Sequence, residues 1–265
     1  MNKQFSDQWA IILGGSSGFG LAAVEKLAAH GMNIAVLYRE TSAADRLLKE
    51  KFSGLAAGAA VRIDAYNMNA LDPDSRQIFL QQFADRAGRT HSVRLLLHSI
   101  ARGNLKPLID QSESESLSVD DIRFTTYAMS TSLLDWARLL LKEGHFQQEA
   151  RIIGLTSEGA HKYWDGYAAV SIAKSTLESL VTYMAVEFGK FGLKTNLIQA
   201  GISATPSLRR IPSSDQLLEL ATKRNPLGRT TRPEDVAGAI YLLCLDEASW
   251  INGSIIPVDG GEHCR

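Results

Sequence analysis

Short apolar runs rich in β-branched residues alternate with helix-spaced stretches along the whole chain. Trp9-Ala10-Ile11-Ile12-Leu13 reads as a first strand that stops at Gly14-Gly15. From Gly20 to His30, Leu21, Val24, Leu27 and Ala28 recur at helical spacing, and Gly31 suits the C-cap. The same reading places further strands over 33–38, 59–64, 93–99, 151–155, 194–198 and 254–258. It places helices over 42–51, 73–87, 119–143 and 169–190, with another starting near Thr231. Strands that are apolar along their whole length are buried on both faces, as in parallel sheets. Strand–helix alternation at this spacing gives right-handed crossovers and a doubly wound sheet. Thr231-Arg232-Pro233-Glu234 reads as a capping box, with the Thr231 hydroxyl and the Glu234 carboxylate on free amides.

The chain shows no internal repeat, low-complexity tract or Pro/Ser linker, so a single α/β domain over 1–265 is expected. Its 265 residues carry 28 basic and 29 acidic side chains, a formal net charge of −1, which gives no reason to seek nucleic acid or anionic lipid. Hydrophobic residues make up 45% and charged residues 22%, ordinary globular values that exclude a disordered chain. The longest basic run is a pair such as Arg209-Arg210. No apolar stretch approaches the roughly 18 residues of a membrane span. The opening Met1-Asn2-Lys3-Gln4-Phe5-Ser6-Asp7 lacks an apolar signal core. Two cysteines, Cys244 and Cys264, make neither a disulfide framework nor a zinc cluster, and no metal site is expected. A cytoplasmic location follows as the expectation.

Candidate chemistry begins at Leu13-Gly14-Gly15-Ser16-Ser17-Gly18-Phe19-Gly20, between the first strand and the first helix. A glycine-rich turn there lets the backbone approach a pyrophosphate, and the helix start supplies free N–H groups. Gly14 allows the tight turn, Gly18 the approach of phosphate, and Gly20 the packing of helix on strand. Three glycines also serve a plain tight loop; their place after the first strand of an α/β chain favours nucleotide binding. The second candidate is Tyr167-Ala168-Ala169-Val170-Ser171-Ile172-Ala173-Lys174. Seven residues are about two helical turns, which puts Tyr167 and Lys174 on one face. An ammonium near a phenol favours its ionised form, so the tyrosine can donate a proton and stabilise an oxyanion.

The glycine spacing and the later Tyr/Lys pair resemble the short-chain dehydrogenase/reductase family, over essentially the whole chain. The resemblance implies a Rossmann-like fold with helices on both faces, a cofactor half over about 1–150 and a catalytic half over about 151–265. It implies cofactor contacts from Gly14, Ser16, Ser17, Gly18, Phe19 and Gly20. Asn67-Met68 falls where the family contacts adenine, with Asp64 competing for that role. Ser99-Ile100-Ala101 falls where the family's backbone lines the cofactor, and Lys174 where its lysine bonds the ribose. Gly201, Ser203 and Thr205 lie in the loop that closes over pyrophosphate and nicotinamide. The family usually has proline at Ile202, so a less rigid loop is expected. Val258-Asp259-Gly260-Gly261 matches a structural signature.

After the second strand the chain reads Leu37-Tyr38-Arg39-Glu40. A carboxylate in that place accepts from a ribose 2′-OH, and a basic group holds a 2′-phosphate. Arg39 offers a fork for phosphate, so NADPH is expected over NADH; the alternative is a solvated arginine paired with Glu40.

Six residues between Tyr167 and Lys174, where ordinary members have three, resemble the enoyl-acyl carrier protein reductases within the family. Leu97-His98-Ser99-Ile100-Ala101 and Lys106-Pro107-Leu108 resemble their segments too. The serine that ordinary members place thirteen residues before the tyrosine would be Gly154 here, and their helical asparagine would be Met129 or Ser130. Many enoyl reductases carry a second tyrosine ten residues before the first; here that is Ser157, and Tyr163 is the alternative, with Trp164 as a wall. His98 reads as a polar strand end. The resemblance implies NADPH-dependent reduction of the C2–C3 double bond of a trans-2-enoyl thioester, on acyl carrier protein in fatty-acid synthesis. A carbonyl reductase and a non-catalytic dinucleotide sensor are the alternatives. It also implies a homotetramer, in which Trp136 would meet a partner or else face its own core.

Overall fold

The structure, a computed structural model, describes residues 4–87, 92–112 and 114–265. Seven strands form one sheet: β1 (Trp9–Leu13), β2 (Asn33–Tyr38), β3 (Ile63–Asn67), β4 (Val93–His98), β5 (Phe146–Ser157), β6 (Lys194–Ala200) and β7 (Ile255–Val258). Their order is β3-β2-β1-β4-β5-β6-β7, and every neighbouring pair is parallel. The helices are α1 (Gly18–Ala29), α2 (Ser42–Ala59), α3 (Pro73–Ala87), α4 (Val119–Thr126), α5 (Ser132–Lys142), α6 (Ala168–Glu187), α7 (Ser214–Arg224) and α8 (Pro233–Cys244). Among the described residues, no helix is long and apolar enough to cross a membrane.

Alternation within β1 shows why both faces are apolar. Trp9, Ile11 and Leu13 pack with Phe79 and Phe83 of α3, Trp136 of α5 and Leu177 of α6. Ala10 and Ile12 turn the other way, to Val24 of α1, Phe52 of α2 and Ile240 of α8. A strand with period-2 side chains and no polar face must be covered on both sides. Two buried arginines meet α8 at its carboxyl end. Arg94 donates to Cys244 O at 3.0 and 2.7 Å, and Arg151 to Leu243 O at 2.8 Å. They satisfy carbonyls that a helix end leaves unpaired.

Several boundaries differ from the sequence reading. The third strand lies at 63–67 rather than 59–64, because α2 runs through Gly54 and Gly58 to Ala59. Ala60 then closes α2 in the left-handed region, at φ 52. The central helix expected over 119–143 is broken by a π-helical turn at Tyr127–Thr131. Helix α7 was not expected; among its side chains only that of Ala221 is buried, so it leaves little apolar periodicity to read. The cap of α8 is not the Thr231/Glu234 pair. Arg232 N–H donates to Asp235 Oδ2 at 2.8 Å, and the buried Thr231 hydroxyl is left without a partner. Trp136 faces its own core, where Nε1 donates to Ala70 O at 2.9 Å.

Candidate active site at the carboxyl ends of the strands

The sheet order reverses between β1 and β4, and the crevice outside their carboxyl ends is where doubly wound folds bind ligands. Gly14 turns the chain there at φ +88, and its N–H donates to Leu37 O at 2.8 Å. A Cβ on Gly14 would stand 2.5 Å from Ser99 O, and one on Gly20 would stand 2.2 Å from Gly14 O. The turn, the start of α1 and the end of β4 therefore meet backbone to backbone. Gly15 is equally constrained, by the Val36 side chain 2.3 Å from its Cβ position, although the glycine spacing assigned it no role. Ser17 is the N-cap of α1, extended and without a side-chain cap bond, and no acid stands in the first turn. These amides and the dipole end suit a pyrophosphate, and the backbone around Ser16, Ser17 and Gly18 suits its approach. Phe19 packs inward against the core beneath.

The rim on the adenine side is ordered by one amide. Asn67 Nδ2 donates to Glu40 O and Asn67 Oδ1 accepts from Glu40 N–H, both at 3.0 Å. Its side chain thus holds the loop that carries Arg39. Arg39 itself is exposed, and the pairing with Glu40 is absent among the described residues. Tyr38 is buried, and its hydroxyl donates to Asp45 at 2.8 Å; burial and that carboxylate push its pKa up. Met68 N–H donates to Tyr38 O at 2.8 Å. Asp64 sits in the amino half of β3 and pairs with Arg86 at 2.9 Å, so it does not reach this edge. Ser99 N–H donates to Leu13 O at 2.8 Å, Ile100 packs against the core, and Ala101 is exposed.

The loop after β6 comes across to the glycine turn. The Thr205 side chain stands 3.3 Å from where Gly18 would carry a Cβ. Hydrogen bonds tie the loop down where the family has its proline. Ile202 keeps its N–H and donates it to Glu262 Oε2 at 3.3 Å, and Ser203 donates to Thr231 O at 2.7 Å. Gly201 leaves no room for a Cβ beside the Thr231 hydroxyl and Asp259. Asp259 in turn accepts from the N–H groups of Gly261 and His263, which gives the C-terminal signature its structural role.

On the other bank, Tyr167 caps α6 and Lys174 lies two turns on. Lys174 is buried, and its Nζ donates to Leu155 O at 2.6 Å. Burial lowers its pKa to about 8, against a smaller upward pull from Glu178. Burial raises the pKa of Tyr167, so the phenol stays a proton donor at neutral pH. Ser157 lies near the phenol and opposes that rise, yet its buried Oγ has no hydrogen-bond partner of good geometry among the described residues. The Tyr167 ring also lies on Gly159, whose Cβ would be 2.7 Å from Cε1.

Tyr163 does not join this group. It is 89% exposed, because its loop turns it to solvent while Trp164 Nε1 reaches Pro212 O at 3.4 Å. Gly154 faces Leu177 and Leu197 in the core, and a side chain there could not reach the site. Counting from the lysine locates the serine that counting from the tyrosine missed. Ordinary members have it thirteen residues before their tyrosine and so seventeen before their lysine, which is Ser157. Val170, where their tyrosine would stand, is buried in an apolar cluster with Met129 and Ala173. Ser130 is buried with an unpartnered hydroxyl in the π-helical turn. His98 is buried and bonds the Ser132 hydroxyl at 2.9 Å. Burial, and then nearby Lys174, lower its pKa to about 3, so it is neutral.

A family model described as enoyl-(acyl carrier protein) reductase matches residues 14–263. The enoyl-[acyl-carrier-protein] reductase [NADH] FabI of Aquifex aeolicus is 30% identical over 238 residues, 88% of this chain and 82% of that protein. A 3-oxoacyl-[acyl-carrier-protein] reductase of Synechocystis is also 30% identical, over 258 residues and 96% of each chain. Among solved structures, FabI from Candidatus Liberibacter asiaticus superposes with a TM-score of 0.84 at 22% identity, covering 100% of this chain and 98% of that one, a likeness of fold.

The buried ammonium sets a pH limit. As pH rises through about 8, Lys174 loses its proton and the site loses its buried positive charge. Turnover of a nicotinamide cofactor, followed as kcat/KM, should therefore fall on the alkaline side with an apparent pKa near that value. A profile flat from about pH 6 to 10 would remove the Lys174 charge from the chemistry.

Proposed function

Since the chain belongs to the enoyl-(acyl carrier protein) reductase family of short-chain dehydrogenases/reductases, we propose that it is an NADPH-dependent enoyl-thioester reductase. The observation that carries this reading is the place of the phenol. Tyr167 stands seven residues before Lys174, and the ordinary tyrosine position is the buried Val170. The nicotinamide cofactor would supply hydride; the glycine turn, the start of α1 and the 201–205 loop are the residues that would hold it. The fit rests on the start of α1, where Ser17 makes no side-chain cap bond and no acid stands in the first turn, so the first amides are open to an anion.

Reduction of a C2–C3 double bond puts negative charge on the thioester oxygen, two atoms from the carbon that receives hydride. A donor must meet that oxygen rather than one on the attacked carbon. Three more residues between the phenol and Lys174 move the phenol by about one helical turn of chain. Tyr167 then donates its hydroxyl hydrogen bond to the developing enolate, while Lys174 stays fixed at Leu155 and supplies positive charge. Ser157 supports the second reading, a 3-ketoacyl reductase, because its hydroxyl occupies the ordinary serine's distance from the lysine. The related Synechocystis 3-oxoacyl reductase gives that reading the same level of identity.

We place the enzyme in the cytoplasm, in fatty-acid synthesis, acting on thioesters of acyl carrier protein. We also propose a homotetramer. Tyr183, Val186 and Phe191 are exposed along α6 and the turn after it, and Ile255 and the 95%-exposed Trp250 lie at the β7 edge. Covering such apolar surface is a reason to associate.

The deciding assay offers crotonyl and acetoacetyl thioesters with NADPH. Consumption with crotonyl thioester alone is expected, and efficient reduction of the keto thioester alone would replace this reading by the second. Tyr167→Phe should lower kcat with little change in NADPH affinity. For cofactor choice, Arg39→Ala should weaken NADPH by about 1.5–3 kcal/mol and leave NADH nearly unchanged; equal losses would refute a 2′-phosphate contact. Light scattering should give about four times the 29.0 kDa chain mass, and a monomer at micromolar concentration would end the tetramer proposal.

A further inference from the structure

Arg224, the last residue of α7, joins parts of the chain that are distant in sequence. Its guanidinium pairs with Glu158 and, at 2.6 Å, with Glu262 Oε1. Glu158 directly follows Ser157 and opens the short turn whose Gly159 lies under the Tyr167 ring. Glu262 is only 2% exposed, and its other oxygen accepts the Ile202 N–H of the loop after β6. One cation thus links the catalytic edge, the cofactor loop and the C-terminal turn.

The segment it anchors spans the crevice. Its first end, Thr205, lies on Gly18 of the glycine turn. Its middle, Pro212 O, accepts from Trp164, whose own carbonyl accepts the Tyr167 N–H at 3.1 Å. Its far end is Arg224. Packing between these ties is thin: of the apolar side chains only Leu208 and Ala221 are buried, whereas Leu220 is 55% exposed. A segment with so little buried apolar surface opens locally unless polar contacts hold it. A charge-assisted pair with a partly buried carboxylate is the strongest contact of that kind. Lys162 also pairs with Glu158, but its side chain is half-exposed and it lies on the same loop, so it cannot hold α7.

We infer that Arg224 is a positioning residue: by bridging Glu158 and Glu262 it fixes the strap 206–224 against the catalytic edge and so sets the fit of the acyl thioester beside Tyr167. The inference rests on the proposed thioester reading for its substrate, but not for the strap itself.

Glu158→Gln tests it cleanly, because it removes the charge at the catalytic end and leaves buried Glu262 paired with Arg224. Hydrogen exchange of backbone amides over 214–224 should quicken about tenfold, with β4, β5 and α1 unchanged. With the thioester that is turned over, KM should rise several-fold and kcat stay within about twofold. Arg224→Lys, which keeps the charge on a more flexible stem, should fall between wild type and Glu158→Gln in exchange rate. Unchanged exchange over 214–224, or acceleration spread equally through the sheet, would overturn the role assigned to Arg224. Exchange is read without turnover, so a protein inactive on both thioesters would refute the proposed function while the exchange result still decides the strap.

Discussion

At the centre of the sheet, three pieces of backbone approach so closely that no side chain fits between them. The Gly14 turn touches Ser99 on one side and the first turn of α1, at Gly20, on the other. That contact ties β1 to β4 at the point where strand order reverses, and it aims the free amides of α1 at the crevice. The later parts of the site are placed by reference to it. The loop after β6 descends onto Gly18, and Lys174 is anchored to the carbonyl of Leu155 on β5, itself paired to β4. The geometry therefore depends on the absence of side chains at a few positions as much as on the presence of reactive ones.

The chemistry stands in a region of low polarity that has been left partly unsatisfied. Lys174 and His98 are buried near one another, one still able to carry charge near neutral pH and the other held neutral. Val170, Ala173 and Met129 line the apolar side, Ser157 stands near enough to the phenol to oppose its pKa rise, and the Ser130 hydroxyl has no partner among the described residues. A rigid strand and a twenty-residue helix carry these groups, while the loosely packed 206–224 segment faces them.

How much of this could be read from the sequence follows from burial. β1, β2 and β4 are covered on both faces, and their uninterrupted apolar runs placed them to within a residue. β3 is an edge strand with partly exposed positions, and the Ala-rich end of α2 resembled it more than its own residues did. Helix α7 escaped for the same reason, since a helix that buries almost nothing writes no stripe. The Gly, Tyr and Lys positions were legible because their spacing is set by backbone geometry. The exposure of Tyr163 could not be read from spacing, because the direction of a loop side chain depends on contacts such as that of Trp164 with Pro212. Nothing in the sequence pointed to the two bonds by which Asn67, expected at the adenine, also secures the distant backbone of Glu40.

That clasp bears on how freely this surface can change over evolutionary time. The backbone around residue 39 is held by the Asn67 amide, by the buried Tyr38 ring and by Met68 N–H, and the Arg39 side chain takes no part in holding it. Exchanging an exposed side chain with no packing role typically perturbs stability by less than about half a kcal/mol. A lineage carrying this scaffold can therefore try acidic, neutral or basic residues at position 39 without passing through unfolded intermediates. The charge at position 39 is, in that sense, a mutable label on a fixed mount.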